Sequence, residues 1–232
     1  MTAIATTPVG EVLLAHHETG DPTGPPAVLL HGMGSSAATW DGFAAALGGA
    51  GRRVLAIDAR GHGASSRTAE YTFAAMVDDL RGFLDEHAVD RVDLIGHSMG
   101  GGVAQLFAGR YPDRVRRLVI EEAAPPPHAA PADQPPDPPR EPPHPVEFDW
   151  QVVRPIMRAF RTPDPEWWAL LGHIAAPTLV IAGGATSLVS QDRIHAAAAA
   201  IPDARLVEIN AGHNVHKHAA AAFASIVLEF LD

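Results

Sequence analysis

The sequence predicts an α/β protein, a largely parallel sheet covered by helices on both faces, and three observations carry that prediction. Short apolar runs alternate with longer stretches of helical spacing along nearly the whole chain. Parallel strands are buried on both sides, so they read as unbroken apolar runs, and each needs a crossover helix to reach the next. The 232 residues, 47% hydrophobic and 19% charged, suit one domain with one sizeable core. Finally, Gly96-His97-Ser98-Met99-Gly100 lies between the apolar run Val92-Asp93-Leu94-Ile95 and a helical pattern, which is a strand-turn-helix context.

In chain order, strands are expected over residues 11–17, 27–31 and 53–57, with a helix over 37–47 between the second and third. The helix expected over 73–87 carries Met76, Val77, Leu80, Phe83 and Leu84 at 3.6-residue spacing, so one face packs on the sheet. The strand 92–95 feeds the helix 99–110, which stops at Tyr111-Pro112 because the residue before proline avoids the helical region. Strands at 117–121, 178–182 and 205–209 and helices at 191–201 and 215–231 complete the alternation.

One segment breaks it. Residues 125–145 hold eleven of the 21 prolines and almost nothing apolar, so neither an ordinary helix nor a central strand is expected there. It reads as an extended, lid-like excursion or a poorly ordered loop. Apolar periodicity resumes at Phe148, Trp150, Val152, Val153, Ile156 and Phe160, then at Trp167, Trp168, Leu170 and Leu171. Aromatics in an insertion beyond a strand's carboxyl end either roof a pocket or anchor a helical hairpin, and Trp150 and Trp168 are candidates for both.

Ser98 is the candidate nucleophile, standing on a strained turn above the sheet with free helix N–H groups beneath it. A serine needs a neighbouring base. Of the 13 histidines His213 is the best candidate, in Asn210-Ala211-Gly212-His213-Asn214 between the last strand and the final helix. His97, next to Ser98, is expected to pack beneath the turn, and His62 is a weak candidate near the mouth. His216 and His218 follow His213 without a matching carboxylate cluster, so no metal is expected.

The acid is less determined. No carboxylate occurs in Gly183-Gly184-Ala185-Thr186-Ser187 after the strand at 178–182, whereas the preceding strand ends in Glu121-Glu122. Successive strand residues point to opposite faces, so only one of that pair should face the histidine. Glu122 is favoured, with Glu121 and Asp192 as alternatives. Donors for a developing oxyanion are expected from the N–H groups of Met99 and of Met33, within His31-Gly32-Met33-Gly34. Met33 is also expected to line an acyl pocket, and Gly32 to let the backbone approach substrate. Asp58 to Ser65 is read as structural, with Asp58 binding turn N–H groups and Arg60 bridging loops.

Taken in order, His31-Gly32-Met33-Gly34, Asp58 to Ser65, Gly96 to Gly100, the 177–184 strand and Gly212-His213 resemble the α/β-hydrolase superfamily over almost everything outside the insertion. The resemblance implies an α/β-hydrolase fold: a mostly parallel eight-stranded sheet flanked by helices, with a short Pro-rich cap, residues 124–175, inserted after strand six. It implies a Ser-acid-His order and no cofactor. The missing carboxylate after strand seven departs from the commonest pattern. Haloalkane dehalogenases and a fungal-mycotoxin lactone hydrolase place the acid after strand six, as Glu122 would be, 24 residues beyond Ser98. A dehalogenase needs a carboxylate nucleophile, which Ser98 is not. Gly212-His213-Asn214-Val215-His216 with Trp167-Trp168 also resembles a group of actinobacterial hydrolases of unassigned substrate.

The expected activity is therefore ester or lactone hydrolysis through Ser98, His213 and Glu122. C–C or amide hydrolysis, perhydrolysis or haloperoxidation, and ligand binding without catalysis remain alternatives. A net charge of −10 without a basic cluster argues against a nucleic-acid partner. The Gly-rich loop lacks the phosphate-binding lysine pattern, since Lys217 is the one lysine. Cysteine is absent, no apolar run approaches a membrane span and no leader pattern is evident, so a cytoplasmic monomer or homodimer acting on a small molecule is expected.

Overall fold

The computed structural model describes residues 4–130, 133 and 135–232. Its sheet contains β1 (Ile4–Val9), β2 (Val12–Gly20), β3 (Pro26–Leu30), β4 (Arg53–Ile57), β5 (Val92–His97), β6 (Val115–Glu121), β7 (Thr178–Ala182) and β8 (Ala204–Glu208). They lie in the order β1-β2-β4-β3-β5-β6-β7-β8. β2 runs antiparallel to both β1 and β4, and every other pairing is parallel. The helices are α1 (Asp41–Gly49), α2 (Phe73–Glu86), α3 (Met99–Arg110), α4 (Val153–Arg161), α5 (Pro165–Leu171), α6 (Gln191–Ala200), α7 (Val215–His218) and α8 (Ala220–Leu231). This is the α/β-hydrolase fold.

Strand alternation divides the core into two layers. In β6, Leu118 and Ile120 join the layer under α2 and α3, while Val119 joins the one under α1 and α8. β7 repeats this, with Val180 and Ala182 on the first side and Leu179 and Ile181 on the second. Phe83, Phe107 and Trp167 fill one layer, and Trp40, Phe43 and Phe223 the other, most of them fully buried.

Three elements differ from expectation. β1 was not expected, because four of its six residues carry little burial signal and Pro8 suits only an edge. The helix expected at 37–47 opens as a 3-10 turn, Ala37–Trp40, before α1. The single helix expected at 215–231 breaks at Ala219, φ −128° and ψ 45°, into α7 and α8. No residue in that stretch is a breaker; the first turn is pinned instead by contacts to Glu121 and Thr39.

Between β6 and β7 the described part of the Pro-rich stretch has no regular structure until Trp150. Residues 131, 132 and 134 of that stretch lie outside the described residues. The rest is strapped to α4 and to the 3-10 turn before it, since Arg154 and Arg158 both pair with Asp137 and Trp150 Nε1 donates to Pro139 O at 2.9 Å.

Candidate active site

Ser98 sits between β5 and α3 at φ 51° and ψ −115°, a conformation that costs an L-residue about 1–3 kcal/mol and persists only where its surroundings impose it. Two close approaches impose it here. A Cβ on Gly96 would stand 2.4 Å from Gly100 O, so the strand can fold back on its helix only without one. Ser98 N–H and Gly100 N–H also donate to Glu121 O and His31 O, at 2.9 and 3.1 Å. The hydroxyl is thereby held at the carboxyl edge of the sheet.

His213 reaches that edge from the loop after β8. Ser98 Oγ–H donates to His213 Nε2 at 3.0 Å, and His213 Nδ1–H donates to Glu122 Oε2 at 3.2 Å. Glu122 follows β6 directly and is itself at φ 51°, a second strained residue at this edge. Its carboxylate is fully buried and also takes hydrogen bonds from Gly183 N–H, the Ser187 hydroxyl and Gln191 Nε2. Burial pushes the carboxyl up, but the hydrogen bonds from His213, Ser187, Gly183 and Gln191 outweigh it and hold Glu122 below the ordinary carboxylate range. Gly183 must lack a side chain, since a Cβ would lie 2.2 Å from Gly212 O and 2.9 Å from Glu122 Cδ. The end of β7 thus offers donors to a carboxylate from β6 rather than a carboxylate of its own.

The other candidate acids stand elsewhere. Glu121 points to the opposite face of the sheet, where it accepts from His216 N–H at 2.8 Å and from His216 Nδ1–H. Asp192 is exposed in the first turn of α6. A carboxylate does therefore accompany His216, contrary to the sequence reading, because Glu121 arrives from 95 positions earlier. His97, Glu121 and His216 bring their ligand-type atoms within 4.8 Å of one another. Glu121, His216 and Thr39 form a hydrogen-bond network, in which Thr39 Oγ1–H donates to His216 Nε2 at 2.9 Å, whereas His97 Nε2–H donates separately to the main-chain carbonyl of His213 at 2.8 Å. His97 lies beneath the turn, its ring 4.7 Å from that of His213.

The loop at 31–34 abuts the turn. A Cβ on Gly32 would come within 2.8 Å of His97 Nδ1 and 3.2 Å of Ser98 Cβ, so glycine lets this loop close on the serine. Among the described residues neither Met33 N–H nor Met99 N–H has a protein acceptor. His62 is buried away from Ser98; it accepts from Gly34 N–H at 3.1 Å and stacks on Phe148, bracing the same loop. Asp58 accepts from Ala37 N–H and Ala64 N–H, and Arg60 pairs with Asp79.

Ser98, Glu122 and His213 open onto a cavity of about 380 Å³. Met33, Met157, Phe160 and Val189 give it apolar walls, with Leu188 exposed at the rim. The structure does not bring Trp150 or Trp168 to it. Trp168 Nε1 donates to Pro126 O at 2.9 Å and its ring stacks on His128. Long aromatic side chains with an N–H satisfy that donor when half-buried, and here the nearest acceptors are carbonyls of the proline-rich chain. Both tryptophans are therefore anchors. Gly183, Ser187 and Gln191 were missed by the sequence reading; the signal available was a run of donors at the very place where a carboxylate was sought.

Several histidines are kept neutral. Burial lowers His97 from its ordinary 6.5 to about 4, with Glu121 partly opposing and His216 and His213 reinforcing the shift. Burial, then His31, lowers His62 to about 3. A group whose pKa is depressed on folding contributes its full stability above the unfolded value and loses it as pH falls through the folded one. Folding stability is therefore expected to drop between pH 6.5 and about 4, by on the order of 1 kcal/mol per pH unit for each such histidine. Urea unfolding at a series of pH values measures it, and a flat profile across that window contradicts it.

A family model described as alpha/beta hydrolase fold matches residues 25–147, just over half of the chain. The chain belongs to the alpha/beta hydrolase fold family. Within it, the chain is 42% identical to sn-1-specific diacylglycerol lipase ABHD11 of Mus musculus over 107 residues, 46% of this chain and 35% of that protein. It is 41% identical to Epoxide hydrolase B of Mycobacterium tuberculosis over 102 residues, 43% of this chain and 29% of that one. The match thus spans about a third of the length of these curated relatives. Among solved structures, a hydrolase from Pseudomonas aeruginosa PA01 superposes with a TM-score of 0.84 at 29% identity, covering 98% of both chains. The enol-lactonase from Burkholderia xenovorans LB400, at 24% identity and a TM-score of 0.77, shares the fold over 98% of this chain and 99% of its own. Among the described residues no helix is long and apolar enough to cross a membrane.

Proposed function

We propose that this alpha/beta hydrolase cleaves a carboxylic ester or lactone by nucleophilic catalysis at Ser98. One observation carries the proposal: Ser98 Oγ, His213 Nε2, His213 Nδ1 and Glu122 Oε2 form one unbroken hydrogen-bonded line that ends in a cavity. His213 takes the Ser98 proton as the oxygen attacks the carbonyl. Glu122 keeps the Nδ1 proton in place, so that Nε2 is the basic nitrogen, and it stabilises the imidazolium without taking the proton. Met33 N–H and Met99 N–H, without a protein acceptor among the described residues, receive the negative charge that develops on the carbonyl oxygen. His213 then protonates the leaving alcohol oxygen, and the acyl-Ser98 ester remains. Water, deprotonated by the same imidazole, attacks that ester, releases the acid and restores the serine.

An acyl substrate suits this nucleophile better than the epoxide named for one relative. Opening an epoxide would leave Ser98 as an ether, which has no carbonyl for water to attack. The connection between β6 and β7 acts as the cap of the cavity, through Met157 and Phe160 of α4. A panel of p-nitrophenyl esters and simple lactones, with a fluorophosphonate probe and mass mapping, tests the proposal. Turnover that is blocked in step with a single phosphonyl adduct on the Ser98 peptide supports it. Turnover without an adduct there, or an adduct without loss of turnover, removes it.

A further inference from the structure

Two guanidinium groups open into the same cavity as Ser98: Arg161 from the last turn of α4 and Arg193 from the first turn of α6. Each is strapped to the main chain by one nitrogen. Arg193 Nη1 donates to Pro125 O at 3.1 Å and Phe160 O at 3.4 Å, and Arg161 Nη1 to Pro136 O at 3.2 Å. Among the described residues neither has a carboxylate within 4.0 Å. On the same α4, Arg158 and Arg154 pair directly with Asp137 and lower its pKa, and Arg161 only helps at longer range; Arg193 has no such neighbour. The undescribed residues of this connection are Pro131, Ala132 and Gln134, which carry no carboxylate.

Arg67, Arg91, Arg117 and Arg140 also have no carboxylate within 4.0 Å among the described residues, but only Arg161 and Arg193 border the Ser98 cavity. Arginine keeps its charge in almost any setting, so a half-buried guanidinium without an anion bears an uncompensated desolvation cost. Arg193 bears it visibly, since burial alone pushes its pKa below the ordinary guanidinium value. Carbonyl oxygens hold one nitrogen of each arginine in place and leave Nε and Nη2 without acceptors among the described residues. Those two nitrogens are the pair that grips a carboxylate side-on. The apolar walls from Met157, Phe160 and Val189 lower the local dielectric and strengthen any ion pair formed there. Glu122 also borders the cavity, but its oxygens are occupied by His213, Gly183, Ser187 and Gln191.

We propose that Arg193, with Arg161, is an anion-recognition subsite, and that the substrate is an ester or lactone bearing its own carboxylate away from the scissile bond. The proposal names the substrate class of the Ser98 site and rests on the ester-hydrolase reading above.

Monomethyl adipate and methyl hexanoate are nearly matched in length and differ by one carboxylate, so their kcat/KM ratio in a pH-stat near neutrality reads the subsite directly. The expected ratio is about tenfold or more in favour of the anionic ester, the gain typical of charge-assisted hydrogen bonds. It should fall toward one in Arg193→Gln, fall less in Arg161→Gln, and be partly kept in Arg193→Lys, which separates lost charge from lost strapping. Added salt should lower it in the native chain. A native ratio at or below one, or a ratio untouched in the Arg161→Gln/Arg193→Gln double variant, overturns the proposal while leaving ester hydrolysis intact. If neither methyl ester is turned over, the kinetic ratio gives way to calorimetric binding of monomethyl adipate to Ser98→Ala, which decides the subsite independently of the ester-hydrolase reading. Binding lost on adding Arg193→Gln upholds it; no binding to Ser98→Ala removes it.

Discussion

Ser98→Ala is expected to lower kcat on any ester substrate by at least about 10^4-fold, because the acylation route vanishes while the donors for the oxyanion remain. The loss should fall on kcat, with KM changed little, since the hydroxyl makes its decisive bond only as the carbonyl is attacked. The fold should survive. Ser98 N–H keeps its bond to Glu121 O, and alanine meets the same strain at φ 51° that serine does. A melting temperature within a few degrees of the native chain, beside abolished turnover, is the expected pair of results. A variant retaining a tenth of native kcat would move the nucleophile elsewhere.

Glu122→Gln is expected to lower kcat by about 10^3–10^4-fold, the scale seen when the acid of such a triad becomes an amide. The carboxylate of Glu122 only accepts, and it faces four donors from His213, Gly183, Ser187 and Gln191. A glutamine must turn an NH2 toward at least one of them. His213 then loses the partner that selects its tautomer and stabilises its charged form. Asp192→Asn, on the exposed turn of α6, should leave kcat within about twofold, as surface substitutions away from a site do. Steady-state kinetics on the two variants separates the assignments, and a reversed outcome would return the acid to the region after β7.

Legibility in the sequence followed burial through the centre of the sheet, while the exposed edge β8 was expected from its place in the strand-helix alternation. β3 to β7 are enclosed by helices, so their apolar runs and the spacing of α2 were plain, whereas β1, a half-exposed edge, left no pattern to read. The turn at Ser98 was legible because its glycines answer a local steric demand. Trp150 and Trp168 were not, since aromatic spacing is the same for a pocket roof and for an anchor. Arg161 and Arg193 gave no signal either, because nothing in a list of residues says which arginines lack an acid.

Local constraints were thus enough to determine the alternating α/β architecture, the serine at the strand-to-helix turn and the histidine after the last strand. The choice between Glu121 and Glu122 belonged to tertiary structure. Two neighbouring carboxylates at a strand end differ only in the face they take, and that depends on the donors waiting there. His216 and Thr39 build one niche, and Gly183, Ser187, Gln191 and His213 build the other. Those groups come from segments distant along the chain, and a buried carboxylate is stable only where such donors converge.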